Sequence, residues 1–324
     1  MPDNLLTVDL GGTRIRFAQF TSSNCLIEGS LVKFLNSDFS SISDAFQRYI
    51  ETMKSLSLSF SCSNCVLAVA APIEGDEVRL TNFSWSFSCK KLQDEFGFHQ
   101  LQVVNDFAVL GQVLPYLEES HLHLIGNTDA KRDINLPMVV LGSGTGVGVA
   151  SCIKNKSGWS VISTEGGHLE FAPQDEEDIE IFLAAKKRMA TVSYENLLCG
   201  KGVELLDSLI AEINGRGKST RTAAEIQAQA KNSEQAALAT IARFWKLCGN
   251  FAGQVALVAG ARGGVFITGG VADQLLEWVN DSDFRLAFEN KGVMSSYNRS
   301  IQSAVITHPY PALAGCAALF MNKN

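Results

Sequence analysis

Short apolar runs closed by glycine, proline or Asn-Asp alternate in this chain with segments of helical period, which confines it to an α/β architecture. Residues 5–8 are apolar, Asp9-Leu10-Gly11-Gly12-Thr13 interrupts them, and Ile15, Phe17 and Ala18 then alternate with polar neighbours. This pattern predicts strand, tight glycine turn, strand. Residues 66–71, closed by Pro72, and residues 101–104, ending at Asn105-Asp106, have the length and bounding of buried strands. An amphipathic segment covers residues 45–53. After Asp106 the period turns helical, with Phe107, Leu110, Val113 and Leu114 on one face until Pro115 stops it.

Residues 137–142 open the second half with a further strand. A helix is expected over 175–189, with acids in its first turn and Lys186, Lys187 and Arg188 in its last, as the helix dipole favours. The stretch 232–235 caps a long helix whose apolar residues Leu238, Ile241, Trp245, Cys248, Ala252 and Val255 are spaced 3, 4, 3, 4, 3. Residues 264–268 form a strand that passes through Gly269-Gly270 into a helix from about Asp273. A faint internal repeat aligns residues 12–18 with 144–150, each copy following an apolar strand.

The 324 residues suggest roughly two domains. With 46% hydrophobic and 19% charged residues, they can bury a large core and need no disordered arm. The formal net charge of −7 gives no electrostatic footprint for nucleic acid or an anionic membrane face. No apolar stretch reaches the ~18 residues of a membrane span. The opening Met1-Pro2-Asp3-Asn4 has an acid where a secretory leader needs bases, so a cytoplasmic location is expected. Eight scattered cysteines agree with that address, and the pair Cys62 and Cys65 lacks the partners of a zinc site.

Two familiar nucleotide motifs fail. Gly217-Lys218-Ser219 imitates a P-loop ending, but Glu212 stands where that motif needs a glycine and no strand precedes it; a solvated loop is expected. In Gly142-Ser143-Gly144-Thr145-Gly146-Val147-Gly148 the third dinucleotide glycine is out of register, and the run continues as a strand. What remains is a pair of glycine–threonine turns between strands, whose successive N–H groups can form anion nests. Two such loops facing each other across a cleft would clamp a triphosphate. Asp9 precedes the first turn, where a carboxylate could hold Mg²⁺ through water. Asp106, at the carboxyl end of a buried strand, is either a general base toward a substrate hydroxyl or a helix N-cap, with Asn105 beside it. Glu165-Gly166-Gly167-His168 gathers directional partners for vicinal hydroxyls, while Glu195 reads by itself as a first-turn helix acid.

Taken together, Asp9 to Thr13, Val104 to Phe107, Gly142 to Val149, Glu165 to Pro173 and Gly263 to Gly270 occur in an order that resembles the bacterial-type glucokinase family. That family lies within the hexokinase and actin-like ATPase superfamily. The similarity extends over Thr81-Asn82-Phe83-Ser84-Trp85 and over residues 284–292. It implies two ribonuclease-H-like α/β lobes around a central cleft: a small lobe of residues 1–115, to which the C-terminal helix in 309–324 returns, and a large lobe of 116–308. It implies ATP-dependent phosphorylation of glucose, with Asp106 accepting the proton of the 6-hydroxyl. Asn105, Glu165, His168 and Glu195 would bind the other sugar hydroxyls. Asp9, Gly11, Gly12 and Thr13 would meet phosphates and magnesium, Gly144 and Thr145 the second phosphate face, and Gly269 and Gly270 the adenosine. A homodimer is the implied assembly. Arg14 stands where many relatives have Asn, and Glu170 where Asp is frequent, so neither receives a role. A kinase for another hexose or an amino sugar, or a non-catalytic sugar sensor, are the competing readings.

Overall fold

The computed structural model describes residues 4–21, 25–58, 60, 62–71, 73–80, 83–126 and 129–322. The expectations placed on residues 1–3, Pro72, Thr81 and Asn82 lie outside them. By internal contacts the chain divides into two compact units: Met1–Leu117 with Asn155–Val161 and Pro309–Asn324, and Glu118–Lys154 with Ile162–His308.

The first unit is built on strands β1 (Asn4–Leu10), β2 (Arg14–Phe20), β3 (Val32–Leu35), β4 (Cys62–Val69) and, after a small ribbon of β5 (Glu77–Arg79) and β6 (Ser86–Ser88), β7 (Gln100–Asn105). The sheet order is β3-β2-β1-β4-β7, with β1, β4 and β7 parallel and the β1-β2-β3 meander antiparallel. Strand alternation sends Leu6, Val8 and Leu10 to one face, where they pack with Phe17, Phe46 and Tyr49. Phe46 and Tyr49 belong to helix α1 (Ile42–Ser55), which starts at a capping box of Ser41 and Asp44. The other face carries Leu5, Ala18, Val66 and Ala68. It is covered by Val109 of α3 (Asp106–Val113) and by Leu313, Cys316 and Ala317 of the C-terminal helix, Pro311–Met321. Helix α2 (Cys89–Phe96) precedes β7.

One expectation is corrected in this unit. Strand β4 begins at Cys62, so the cysteine pair lies buried inside the strand instead of preceding it. Helix α3 ends at Val113, just ahead of Pro115 as expected, and Pro115 sits in the 3₁₀ turn Leu114–Tyr116 that follows directly. A proline is tolerated there because the first residues of a turn have no intrahelical N–H partner to lose.

The second sheet holds β8 (Leu122–Leu124), β9 (Met138–Ser143), β10 (Val147–Asn155), β11 (Gly158–Thr164), β12 (Gly264–Thr268) and β13 (Ser303–Ile306), in the order β11-β10-β9-β12-β13-β8. Its first five strands repeat the order of the first unit's sheet, so the sequence similarity of residues 12–18 and 144–150 marks equivalent hairpins. The turns differ by one residue, since Leu10 pairs with Ile15 but Ser143 pairs with Val147. The helices are α4 (Glu176–Lys186), α5 (Tyr194–Leu198), α6 (Gly200–Ile213), α7 (Ala223–Lys231), α8 (Gln235–Ala259), α9 (Gly270–Gln274), α10 (Phe284–Glu289) and α11 (Ser295–Arg299). Glu234 caps α8, accepting from the N–H groups of Ala236 and Ala237, and Ile241, Trp245, Cys248, Ala252 and Val255 are buried as their spacing requires. Helix α4 is shorter than expected: Asp175 is its N-cap and Lys187 its C-cap. Helix α9 begins at Gly270 and not near Asp273. Among the described residues no helix is long and apolar enough to cross a membrane.

Candidate active site

In the first unit the chemistry gathers at the carboxyl ends of β1 and β7. The hairpin register places Asp9 opposite Arg16, and Arg16 Nη1 donates to Asp9 Oδ2 at 2.6 Å. Burial holds the Asp9 carboxyl above its ordinary range, and the arginine offsets this only in part. At the β7–α3 junction it is Asn105 that caps the helix, its Oδ1 accepting from Phe107 N at 2.9 Å. Asp106 is therefore not the N-cap. Its Oδ1 accepts a bond of 3.0 Å from the same N–H, and its carboxyl is raised to about 7 by burial and by the negative charge of Asp9. Asn105 Nδ2 reaches Ala71 O at 3.4 Å, so part of that amide is already engaged in holding the chain.

The glycine turn between β1 and β2 has its carbonyls occupied. Asn36 Nδ2 donates to Gly11 O at 2.8 Å, Asn36 N donates to Thr13 O at 2.9 Å, and Gly11 N closes onto Arg14 O at 3.0 Å. The N–H groups of Gly12 and Thr13 have no partner among the described residues. Two adjacent unspent donors beside a half-buried carboxylate make a nest that fits a phosphate and its magnesium. Magnesium keeps several waters and takes one or two protein carboxylates along with phosphate oxygens. Asp9 suits that role, and among the described residues no trio of His, Cys, Asp or Glu is grouped to hold an ion by protein ligands alone.

In the second unit the turn between β9 and β10 is secured in the same fashion. Gly144 N donates to Gly146 O, Gly200 N donates to Gly144 O at 2.9 Å, and the Ser143 hydroxyl bonds Leu198 O. The N–H groups of Thr145 and Gly146 have no partner among the described residues. Gly269 has φ +102°, and a Cβ there would come 2.3 Å from Ser143 O, so only glycine lets the end of β12 pass this turn. Around Gly270 there is open space.

The same unit brings Glu165, His168 and Glu195 together. An isolated antiparallel bridge pairs Glu170 with Ser193, flanked by Phe171 N to Val192 O and Tyr194 N to Leu169 O. Continuing that register by two residues sets His168 opposite Glu195. Their atoms Nδ1 and Oε1 are 3.8 Å apart, and His168 Nε2 is 4.0 Å from Glu165 Oε2. Ser193 caps α5 in a capping box with Asn196, which positions Glu195 in the first turn. The carboxylate is more than the dipole acid its sequence position suggests, because Glu195 Oε2 accepts from Val147 N at 2.8 Å. Beneath it Tyr194 is fully buried, its ring stacked on Phe251 at 4.4 Å and its hydroxyl accepting from Asn250 and Gln254.

Sequence reasoning missed Asn36 and Arg16. Arg16 was findable, because a Gly-Gly turn pairing Leu10 with Ile15 puts Asp9 opposite Arg16. Asn36 gave no signal, since its contact with Gly11 depends on how β3 ends. The expected P-loop imitation is a loop between α6 and α7, with the Ser219 hydroxyl anchored on Asp207. Glu170 is exposed and takes part through its backbone bridge.

The glucokinase family model matches residues 6–323. A glucokinase of Colwellia psychrerythraea is 34% identical over 98% of this chain and 96% of its own length. The bifunctional protein glk of Burkholderia lata is 37% identical over 98% of this chain, which spans 48% of that longer protein. A crystal structure of glucokinase from an Antarctic psychrotroph is 33% identical, covers 98% of both chains and superposes with a TM-score of 0.87. With its two glycine nests, its paired carboxylates and a family match over nearly its whole length, the chain belongs to the glucokinase family.

Proposed function

We propose that this protein transfers the γ-phosphoryl group of ATP to the 6-hydroxyl of D-glucose, with Asp106 as general base. The observation that carries this reading is the Asp106 carboxyl at the end of a parallel strand, raised to about 7 and standing beside Asp9. Asp106 accepts the hydroxyl proton as that oxygen attacks the γ-phosphorus, and the bond from that phosphorus to the bridging oxygen of ADP breaks. Asn105, Glu165, His168 and Glu195 bind the remaining hydroxyls. The N–H groups of Gly12 and Thr13 and of Thr145 and Gly146 hold phosphate oxygens, Gly11 and Gly144 close the two turns through their own backbone bonds, and Gly269 and Gly270 lie against the adenosine. Magnesium, held by Asp9, supplies charge neutralisation to the phosphates when bound. Phosphoryl transfer needs alignment and charge stabilisation more than covalent help, and the free N–H donors of both turns provide them without reorganising.

A coupled assay with MgATP and a panel of hexoses and amino sugars tests the proposal. Turnover preferring glucose is expected; binding of sugar without turnover of any would favour a sensor. Because a base must be deprotonated to act, kcat/KM falls as pH drops through about 7, and a flat profile between pH 6 and 8 would remove Asp106 from that role. Glu195→Ala removes the acceptor of Val147 N and the partner of His168. The KM for glucose rises roughly 10- to 100-fold, as expected for losing hydrogen bonds to a charged group; a KM within twofold of the parent would show that the sugar does not meet this residue.

The cytoplasm is the proposed location, supported by free cysteines throughout the described residues. A homodimer is the proposed assembly, and light scattering on the purified chain tests it.

A further inference from the structure

The pairing that sets His168 opposite Glu195 is short. Among the described residues it consists of the isolated bridge of Glu170 with Ser193 and the backbone bonds on either side of it. A ladder of that length is marginal by itself. Behind it, in the middle of α8, stands Asn250, which is 1% exposed. Asparagine is a poor residue for a helix interior, and an amide taken out of water costs free energy unless its groups are bonded. Here all of them are. Nδ2 donates to Ala172 O at 2.7 Å and to the Tyr194 hydroxyl at 3.1 Å. Oδ1 accepts from Lys291 Nζ at 3.0 Å and from Gln254 Nε2 at 3.1 Å, which uses the full capacity of the amide. Ala172 and Tyr194 belong to opposite sides of the short ladder, so the Asn250 amide is a further link across it.

Lys291 decides which way that amide faces. It lies just beyond α10, in the stretch 284–292 that carries the family resemblance. Burial lowers its ammonium to about 8, so at pH 7 it donates and cannot accept. Only Oδ1 can meet it, which leaves Nδ2 for Ala172. The ammonium also donates to Ala287 O at 2.8 Å, and no carboxylate pairs with it among the described residues. Its room comes from Gly253, one turn along α8. A Cβ there would stand 2.6 Å from Lys291 Cε and 2.4 Å from Phe288 O.

We infer that Asn250 is a positioning residue for the sugar site: held in one orientation by Lys291, its amide ties the segment of His168 to the segment of Glu195. Neither Asn250 nor Lys291 touches substrate in this role; both act through the two residues in front of them. This rests on the reading of His168 and Glu195 as ligands of a sugar.

The test compares the parent with Asn250→Asp, Lys291→Met and Lys291→Arg by steady-state kinetics, glucose titration and amide hydrogen exchange. In Asn250→Asp the acceptor bonds survive and Lys291 neutralises the new carboxylate, so the fold persists while the donors to Ala172 and Tyr194 are lost. KM and Kd for glucose rise roughly 10-fold or more and KM for MgATP stays within about twofold, because small misplacements of binding groups are costly. Exchange at the Phe171 and Tyr194 amides quickens at the same time. Lys291→Met frees the amide to turn and raises KM for glucose about threefold or more, and Lys291→Arg, again a donor without acceptor capacity, brings it back toward the parent. An Asn250→Asp variant with parental glucose affinity and parental exchange at both amides overturns the inference. An equal rise in both KM values, with exchange quickened throughout the chain, shows a merely structural role and overturns it too. A parent without ATP-dependent turnover overturns the kinase reading instead, and the titration and exchange arms then decide Asn250 alone.

Discussion

Asp106→Asn is expected to lower the rate of glucose phosphorylation by about 10²–10⁴-fold, the usual contribution of a positioned base. The isosteric amide still accepts from Phe107 N, so the start of α3 is preserved and glucose binding persists. Stability should not suffer. A carboxyl whose pKa is raised on folding opposes the folded state at any pH where the unfolded chain would be ionised, most fully above the folded value of about 7. Removing the charge lifts that cost, so at pH 8 the variant melts at or above the temperature of the parent. Calorimetry, glucose titration and the coupled assay together separate this outcome from a folding defect. Turnover near the parental rate would leave the mechanism without its base.

The second large effect concerns the helix that closes the chain. Gly315 lies where the C-terminal helix crosses α3, and a Cβ there would stand 2.0 Å from Val109 O and 2.7 Å from Val109 C. The obstacle is backbone, so no rotamer change relieves it. Gly315→Ala gains helix propensity of ~1 kcal/mol, yet it forces two packed helices apart. The net loss should be about 2 kcal/mol or more, a fall in melting temperature of roughly 4–8 °C. Leu313, Cys316 and Ala317 share that interface with Leu5, Ala18 and Val66 under the sheet that carries Asp9. Activity lost at high temperature should therefore return on cooling. An unchanged melting curve would mean that the helix does not pack as described.

Much of this was readable before folding. The strand of residues 101–104 ending at Asn105-Asp106, the two glycine–threonine turns and the long helix with its 3, 4 spacing all depend on local pattern. Apolar period and turn chemistry report such features directly. Elements set by long-range packing were harder. Helix α9 starts at Gly270 because β12 must first pass Ser143 at Gly269.

The chain's linear pattern was sufficient for the α/β class, the repeated hairpins, the two glycine–threonine turns and the Asn105-Asp106 junction, whereas Glu195 read by itself only as a helix acid. Their working state was not in that pattern. That Asn105 caps α3 while Asp106 is pushed to about 7, that Glu195 meets both Val147 and His168, and that Asn36 occupies the carbonyls of the first turn all depend on partners far away in the sequence. Burial and hydrogen bonding are properties of the surroundings, and only the folded chain supplies the surroundings.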